Sequence, residues 1–173
     1  MTGHPALGGA GLVTLSTARA GRAATAAPHR RIPSLYADPA SWAVLEAVDA
    51  LWAGCPDEVR AAPRTTAMVL VSTHATADTM VAIARAVPGG RLSPLRFAGA
   101  SAGGPISLVC LVHGLRGPTL TITTDPADGV PAAGTMARHW LRTGAASHVV
   151  LGVHTPGPGG GHEVECAVVE APR

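Results

Sequence analysis

The chain contains no lysine, so all 13 of its Lys/Arg side chains are arginine, in a sequence otherwise dominated by small residues. That absence reflects coding bias rather than function. Aromatic residues are almost as scarce, the whole set being Tyr36, Trp42, Trp52, Phe97 and Trp140. Charged residues reach only 14% and the formal net charge is +2. No basic patch interleaved with aromatics stands out, which argues against a nucleic-acid partner. Cysteine occurs three times, at Cys55, Cys110 and Cys166, without a Cys-x-x-Cys pair. An odd, dispersed set excludes a disulfide framework and a thiolate metal cluster, and suits a reducing compartment. No apolar run approaches the ~18 residues a membrane span requires. The first 37 residues carry arginine and no acid. They lack the charged region followed by an apolar run that marks a secretory signal, so a cytoplasmic protein without a membrane is expected.

What is present is apolar content of 47%, enough for a full core in one domain spanning residues 1–173. So little charge also implies that part of the surface is covered by a partner. Residues 10–15 read as a short strand, and 16–34, rich in Ala, Arg, Thr and Pro, as loop. Asp38-Pro39 is a helix start, with an N-capping carboxylate and proline in the first turn. Trp42, Leu45, Val48 and Trp52 follow at helical spacing and Gly54 ends the run. Residues 67–73 are almost continuously apolar, as in a strand buried on both faces. Further helices are expected at 78–87, 105–113 and 131–143, and strands at 120–124, 148–153 and 164–169. The helix at 105–113 has no polar face, so it is buried in a core or against another subunit. Residues 155–162 are expected to form a flexible Gly/Pro hairpin loop. Strands alternating with helices indicate an α/β fold, with a mixed, mostly parallel sheet and helices on both faces.

One segment carries more than composition. Gly117-Pro118 leads into Thr119-Leu120-Thr121-Ile122-Thr123, then Asp125-Pro126-Ala127-Asp128, then a small-residue helix ending Leu141-Arg142-Thr143-Gly144, then Val149-Val150-Leu151-Gly152-Val153. This order resembles the β-ketoacyl synthases of the thiolase superfamily. Gly9 to Thr14, Met68 to Thr73, Ser93 to Ala98 and Gly103 to Gly114 are similar, in order, to other passages of the N-terminal half of that fold. The nearest likeness is to chain-length-factor subunits of aryl-polyene and type II polyketide systems.

In the family, the turn before the small-residue helix carries a nucleophilic cysteine. Here the position falls near Pro126 or Ala127, neither of which can attack a thioester. The resemblance therefore implies half of a thiolase-like fold without its chemistry. On this resemblance, the half that bears the family's catalytic histidines is expected to be missing. The implied role is a catalytically inactive partner of an active ketosynthase in polyketide or fatty-acid-type biosynthesis, with no cofactor. It also implies pairing, with a ketosynthase or with itself, through Leu120, Thr121, Ile122 and Thr123, with Ile106 and Val109 nearby.

Other groups were candidates for chemistry. Asp125 and Asp128 could be paired carboxylates for acid/base work, alone or with His113, in a small hydrolase or dehydratase acting on carrier-bound acyl chains. Asp-Pro before a helix more often marks a turn and cap. A third possibility is a homodimeric acyl-ligand-binding module. Arg138 and Arg142, with His139, form a basic face suited to an acidic acyl carrier protein. His154 and His162, with Glu163 and Glu165, flank the glycine-rich loop. Two histidines and a carboxylate could hold zinc. A solvated hairpin tip is the plainer reading, and no metal site is expected.

Overall fold

A computed structural model describes residues 7, 11–22, 37–90 and 93–172. Five strands form one mixed sheet: β1 (Val13–Arg22), β2 (Thr66–Ser72), β3 (Thr119–Ile122), β4 (His148–Pro156) and β5 (His162–Glu170). Their spatial order is β1-β5-β4-β2-β3. The expected parallel arrangement holds for β4, β2 and β3, whereas β1 and β5 join antiparallel. The short connection between β4 and β5 accounts for the second pattern, since a parallel pair needs a long crossover. β1 runs through residues 16–22, which had been expected as loop, because pairing to β5 continues from Val13 to Arg22. Residues 23–34 of that expected loop lie outside the described residues.

Helices cover both faces: α1 (Pro39–Ala53), the single-turn α2 (Asp57–Arg60), α3 (Ala77–Ala86), α4 (Pro94–Gly99), α5 (Gly104–His113) and α6 (Pro126–Arg142). The period-2 alternation of the strands divides the core. Met68 and Leu70 of β2, Val150 of β4 and Val164, Cys166 and Val168 of β5 pack against α1 and α5. Ala67, Val69 and Val71, with Val149, Leu151 and Val153, pack against Val130, Ala133, Ala137 and Trp140 of α6. All seven residues of β2 are buried, as its unbroken apolar run predicted. Trp42 and Trp140 are buried and Trp52 is half-buried.

Two aspartates start the principal helices. Asp38 Oδ1 accepts from Ala40 N at 2.8 Å, and Asp125 Oδ1 accepts from Ala127 N at 2.9 Å, each followed by proline in the first turn. The second cap starts α6 at Pro126, five residues before the expected start at 131, and leaves Pro131 inside the helix. The cap and Pro126 fix the first turn there, so the helix carries Pro131 at the loss of one intrahelical donor. The 155–162 segment joins β4 to β5 as a hairpin: β4 reaches Pro156, β5 begins at His162, and Gly157 N donates to Gly161 O at 2.7 Å.

α6 lies close on β2 because Gly129 faces it. A Cβ there would stand 2.4 Å from Val71 Cγ1, whereas at Gly134 it would meet Arg138 Nη1 at an ordinary 3.6 Å. The two glycines should therefore respond oppositely to alanine. Gly134→Ala is expected to stabilise by about 0.5–1 kcal/mol through helix propensity. Gly129→Ala should destabilise by roughly 1–3 kcal/mol through overpacking. Denaturant midpoints of the two variants check this; a gain at Gly129 would contradict the packing.

Candidate functional site

The place where the resemblance puts a nucleophile is the first turn of α6. Asp125 is spent on capping, its carbonyl also accepting from Asp128 N at 3.1 Å and Gly129 N at 2.8 Å. Pro126 is half-buried, while Ala127 and Asp128 are exposed. Asp128 sits in the first turn, where a carboxylate complements the helix dipole. The turn therefore bears caps, and neither Pro126 nor Ala127 offers a nucleophilic atom. The three cysteines lie elsewhere, and burial pushes each thiol up, Cys166 to about 12, so none is poised as a thiolate.

His113 ends α5, where its Nε2 meets Asp49 Oδ1 of α1 at 2.9 Å and its ring lies 5.3 Å from that of Trp52. It precedes β3, whereas Asp125 and Asp128 follow it. The four residues of β3 span about 13 Å, so the histidine and the two aspartates sit toward opposite ends of one strand rather than around one substrate.

β3 is a sheet edge, its Leu120, Thr121 and Ile122 only half-buried, and Thr123 beyond its end exposed. Ile106 and Val109, also expected at an interface, turn inward and belong to the core against α1. The outward side of α5 presents Ser107, Cys110 and Leu111 instead, Leu111 being 63% exposed. A helix apolar all round thus buries one side and leaves another apolar side open. Ser107, Cys110 and Leu111 line a groove of about 460 Å³ that runs to Thr119 of β3. Arg138 and Arg142 lie on the exposed side of α6, where they border a groove of about 690 Å³ with Leu12, Met136 and Pro172.

The densest chemistry gathers at the end of the sheet where β2 and β4 finish. Ser72, His154 and His162 share the sheet face covered by α1 and α5. His154 Nδ1 lies 2.7 Å from Ser72 Oγ, and its Nε2 lies 3.1 Å from His162 Nδ1. Ala75 N donates to the same serine oxygen at 2.7 Å. Beyond the relay, His162 Nε2 stands 3.2 Å from Asp78 Oδ2, and His74 Nε2 stands 3.3 Å from Asp78 Oδ1. Asp38, fully buried, closes the cluster from the α1 side, its Oδ2 accepting from Thr79 N at 2.9 Å.

His154 and His162 are 1% and 2% exposed, so they do not sit on a solvated hairpin tip. Glu163 and Glu165 point to the other face by strand alternation, and Glu163 meets Arg19 at 3.5 Å. The carboxylate that does join the histidines is Asp78. His74 and Asp78 were missed because they lie far from the glycine-rich loop in sequence; a histidine in the turn four residues before an aspartate in the first turn of α3 was the available signal.

No protein-family model and no curated protein matches the sequence. Solved structures match by shape. The ishigamide ketosynthase/chain length factor superposes with a TM-score of 0.67 at 18% identity, over 80% of this chain and 45% of that one. A complex of a ketosynthase with its chain length factor from Xenorhabdus doucetiae gives 0.63 at 12%, over 92% and 80%. A type II polyketide acyl-carrier protein in complex with its ketosynthase, bound to the hexaketide, gives 0.69 at 11%, over 92% and 62%. The chain thus spans less than half the length of the first of these. At such identities the likeness establishes the fold alone: a mixed α/β sheet with helices on both faces, of the kind found in these ketosynthase structures.

Burial, followed by the neighbouring imidazoles of His162 and His74, pushes His154 down to about 4, against the opposing pull of Asp78. A histidine depressed in the folded state is neutral in both states above its unfolded value of about 6.5, and below that the unfolded chain takes the proton first. The metal-free protein should therefore lose stability as pH falls from about 6.5 to 4, by on the order of 3 kcal/mol from this residue. His162, also lowered by burial and faced by Asp78, His74 and Asp38, adds in the same direction. Denaturant titrations at stepped pH check this: His154→Gln should flatten the slope, and an equal slope in that variant would contradict it.

Proposed function

We propose that this chain is a ketosynthase-like subunit without its own nucleophile, resembling a chain length factor. On this reading it pairs with an active ketosynthase in polyketide or fatty-acid-type biosynthesis. The observation that carries the proposal is the first turn of α6. On a fold shared with ketosynthases and chain length factors, that turn holds Asp125-Pro126-Ala127-Asp128, caps in place of a nucleophile. Condensing chemistry would then belong to the partner, which supplies the activated thiolate.

The open ladder of β3 and the exposed apolar side of α5 favour pairing over a solitary existence. An uncovered edge strand is a template for another strand. Leu111 beside it is the kind of large apolar side chain that a partner buries. Arg138 and Arg142 offer a cationic border to a groove and suit the acidic surface of an acyl carrier protein.

Co-expression with a ketosynthase tests the pairing. A stoichiometric complex with altered product length is expected, and Leu111→Glu should abolish it while leaving the thermal unfolding of the isolated chain unchanged. A homodimer indifferent to any ketosynthase would favour an acyl-binding module. A stable monomer at micromolar concentration that leaves the ketosynthase's products unchanged would end the proposal. The carrier contact has its own check. Arg138→Glu with Arg142→Glu is expected to weaken carrier-protein binding about tenfold or more, with reduced salt dependence. Unchanged binding would remove that contact.

A further inference from the structure

We propose that His74, Asp78 and His162 form a binding site for a divalent metal ion of the zinc class, with His154 and Ser72 holding its ligands from behind. The inference is independent of any pairing with a ketosynthase. The three residues come from separate places: the turn after β2, the first turn of α3 and the first position of β5. Their donor atoms nevertheless lie within 4.8 Å of one another. Each imidazole nitrogen faces its own oxygen of Asp78, His162 Nε2 at 3.2 Å from Oδ2 and His74 Nε2 at 3.3 Å from Oδ1, so the carboxylate stands between the two nitrogens within reach of a shared cation.

Orientation separates this arrangement from an ordinary polar cluster. His74 Nε2 and His162 Nε2 are both buried and both without a hydrogen-bond partner, although a carboxylate oxygen stands close to each. Each nitrogen lies at ion-pair distance from Asp78 without good hydrogen-bond geometry. Buried polar atoms left unpaired in this way are costly. A cation between the nitrogens and the carboxylate would satisfy all of them together.

The groups behind are those a metal-bound imidazole requires. If His162 ligates through the Nε2 lone pair, its Nδ1 carries the proton and donates to His154 Nε2. His154 then donates from Nδ1 to Ser72 Oγ, and every ring nitrogen of the relay has one role. Ligation needs neutral imidazoles, and burial favours the neutral form of His162. Asp38, buried at the rim, adds a second negative charge. Ala75 holds a positive φ of 46° with its amide on Ser72 Oγ, which fixes the turn presenting His74. The Asp78 side chain is 41% exposed and that of His74 21%, so an ion can enter and a fourth position faces solvent.

Nitrogen donors with one carboxylate select zinc, or cobalt and nickel as surrogates, over magnesium and calcium. The bound ion would clip the β4–β5 hairpin to the turn between β2 and α3.

The test uses tag-free full chain, stripped with chelator and titrated with Zn²⁺ by calorimetry and with Co²⁺ by visible absorption. One ion per chain is expected, with a melting temperature raised by roughly 5–10 °C at hundredfold excess over Kd. Asp78→Asn and His74→Gln, both partly exposed and tolerable to the fold, should each weaken binding about tenfold or more, and His154→Gln by about 10–100-fold. Glu163→Gln and Glu165→Gln should leave it unchanged. Absence of saturable binding at micromolar metal would overturn the site. So would binding that survives in Asp78→Asn and His74→Gln.

Discussion

Strand β2 is the constraint on which the remaining structure hangs. Its seven residues are inaccessible, and they serve both helical layers at once: Met68 and Leu70 toward α1 and α5, Ala67, Val69 and Val71 toward α6. A strand in that position can tolerate almost no polarity along its length, so its polar groups fall at its ends. Thr66 hydroxyl at one end donates to Ala62 O at 2.8 Å. Ser72 at the other end opens the histidine relay. Close approach is demanded on the flanks as well. A Cβ at Gly117 would stand 2.5 Å from Thr66 O, so only glycine fits where the chain enters β3.

The parallel pairing of β2 with β3 and β4 sends the carboxyl ends of all three strands to one side of the molecule. In open α/β sheets that side is where loops gather ligands and reacting groups. Two features meet there. The turn after β3 leads into α6, whose first turn Asp125 caps. The turns after β2 and β4 bring together His74, Asp78, His154 and His162. At that helix N-terminus Asp125 satisfies a free amide and Asp128 complements the dipole, so the first turn is closed by local capping alone.

Much of this architecture was legible in the sequence, and the reasons differ by element. Asp38-Pro39 and the continuous run of β2 announced themselves because capping and two-sided burial leave local signatures. The resemblance around Gly117 to Val153 foretold the ketosynthase-like α/β fold. α6 was placed too late because Pro131 outweighed Asp125-Pro126, although a capped helix carries an internal proline once its first turn is fixed. The length of β1 was hidden because its Ser, Thr, Ala and Arg pair with β5 through backbone groups that any residue supplies. α5 read as buried all round, yet composition alone could not say that Leu111 faces outward while Val109 faces in.

The histidine cluster was the least legible part, and the failure is instructive. His154 and His162 were paired correctly by the hairpin, but the nearest carboxylates in sequence, Glu163 and Glu165, were the wrong ones. Alternation along β5 fixes this: residues 162, 164 and 166 face α1, so 163 and 165 cannot join them. The acid comes instead from the start of α3, which the β2–α3 turn carries alongside β4, since β2 pairs Ser72 opposite His154. His154, His162 and Asp38, buried beneath an aliphatic core, carry a heavy desolvation penalty, while His74 and Asp78 open the cluster to solvent. A fold retains such a cluster when something compensates that penalty, and the orphaned Nε2 atoms of His74 and His162 mark where the compensating charge belongs.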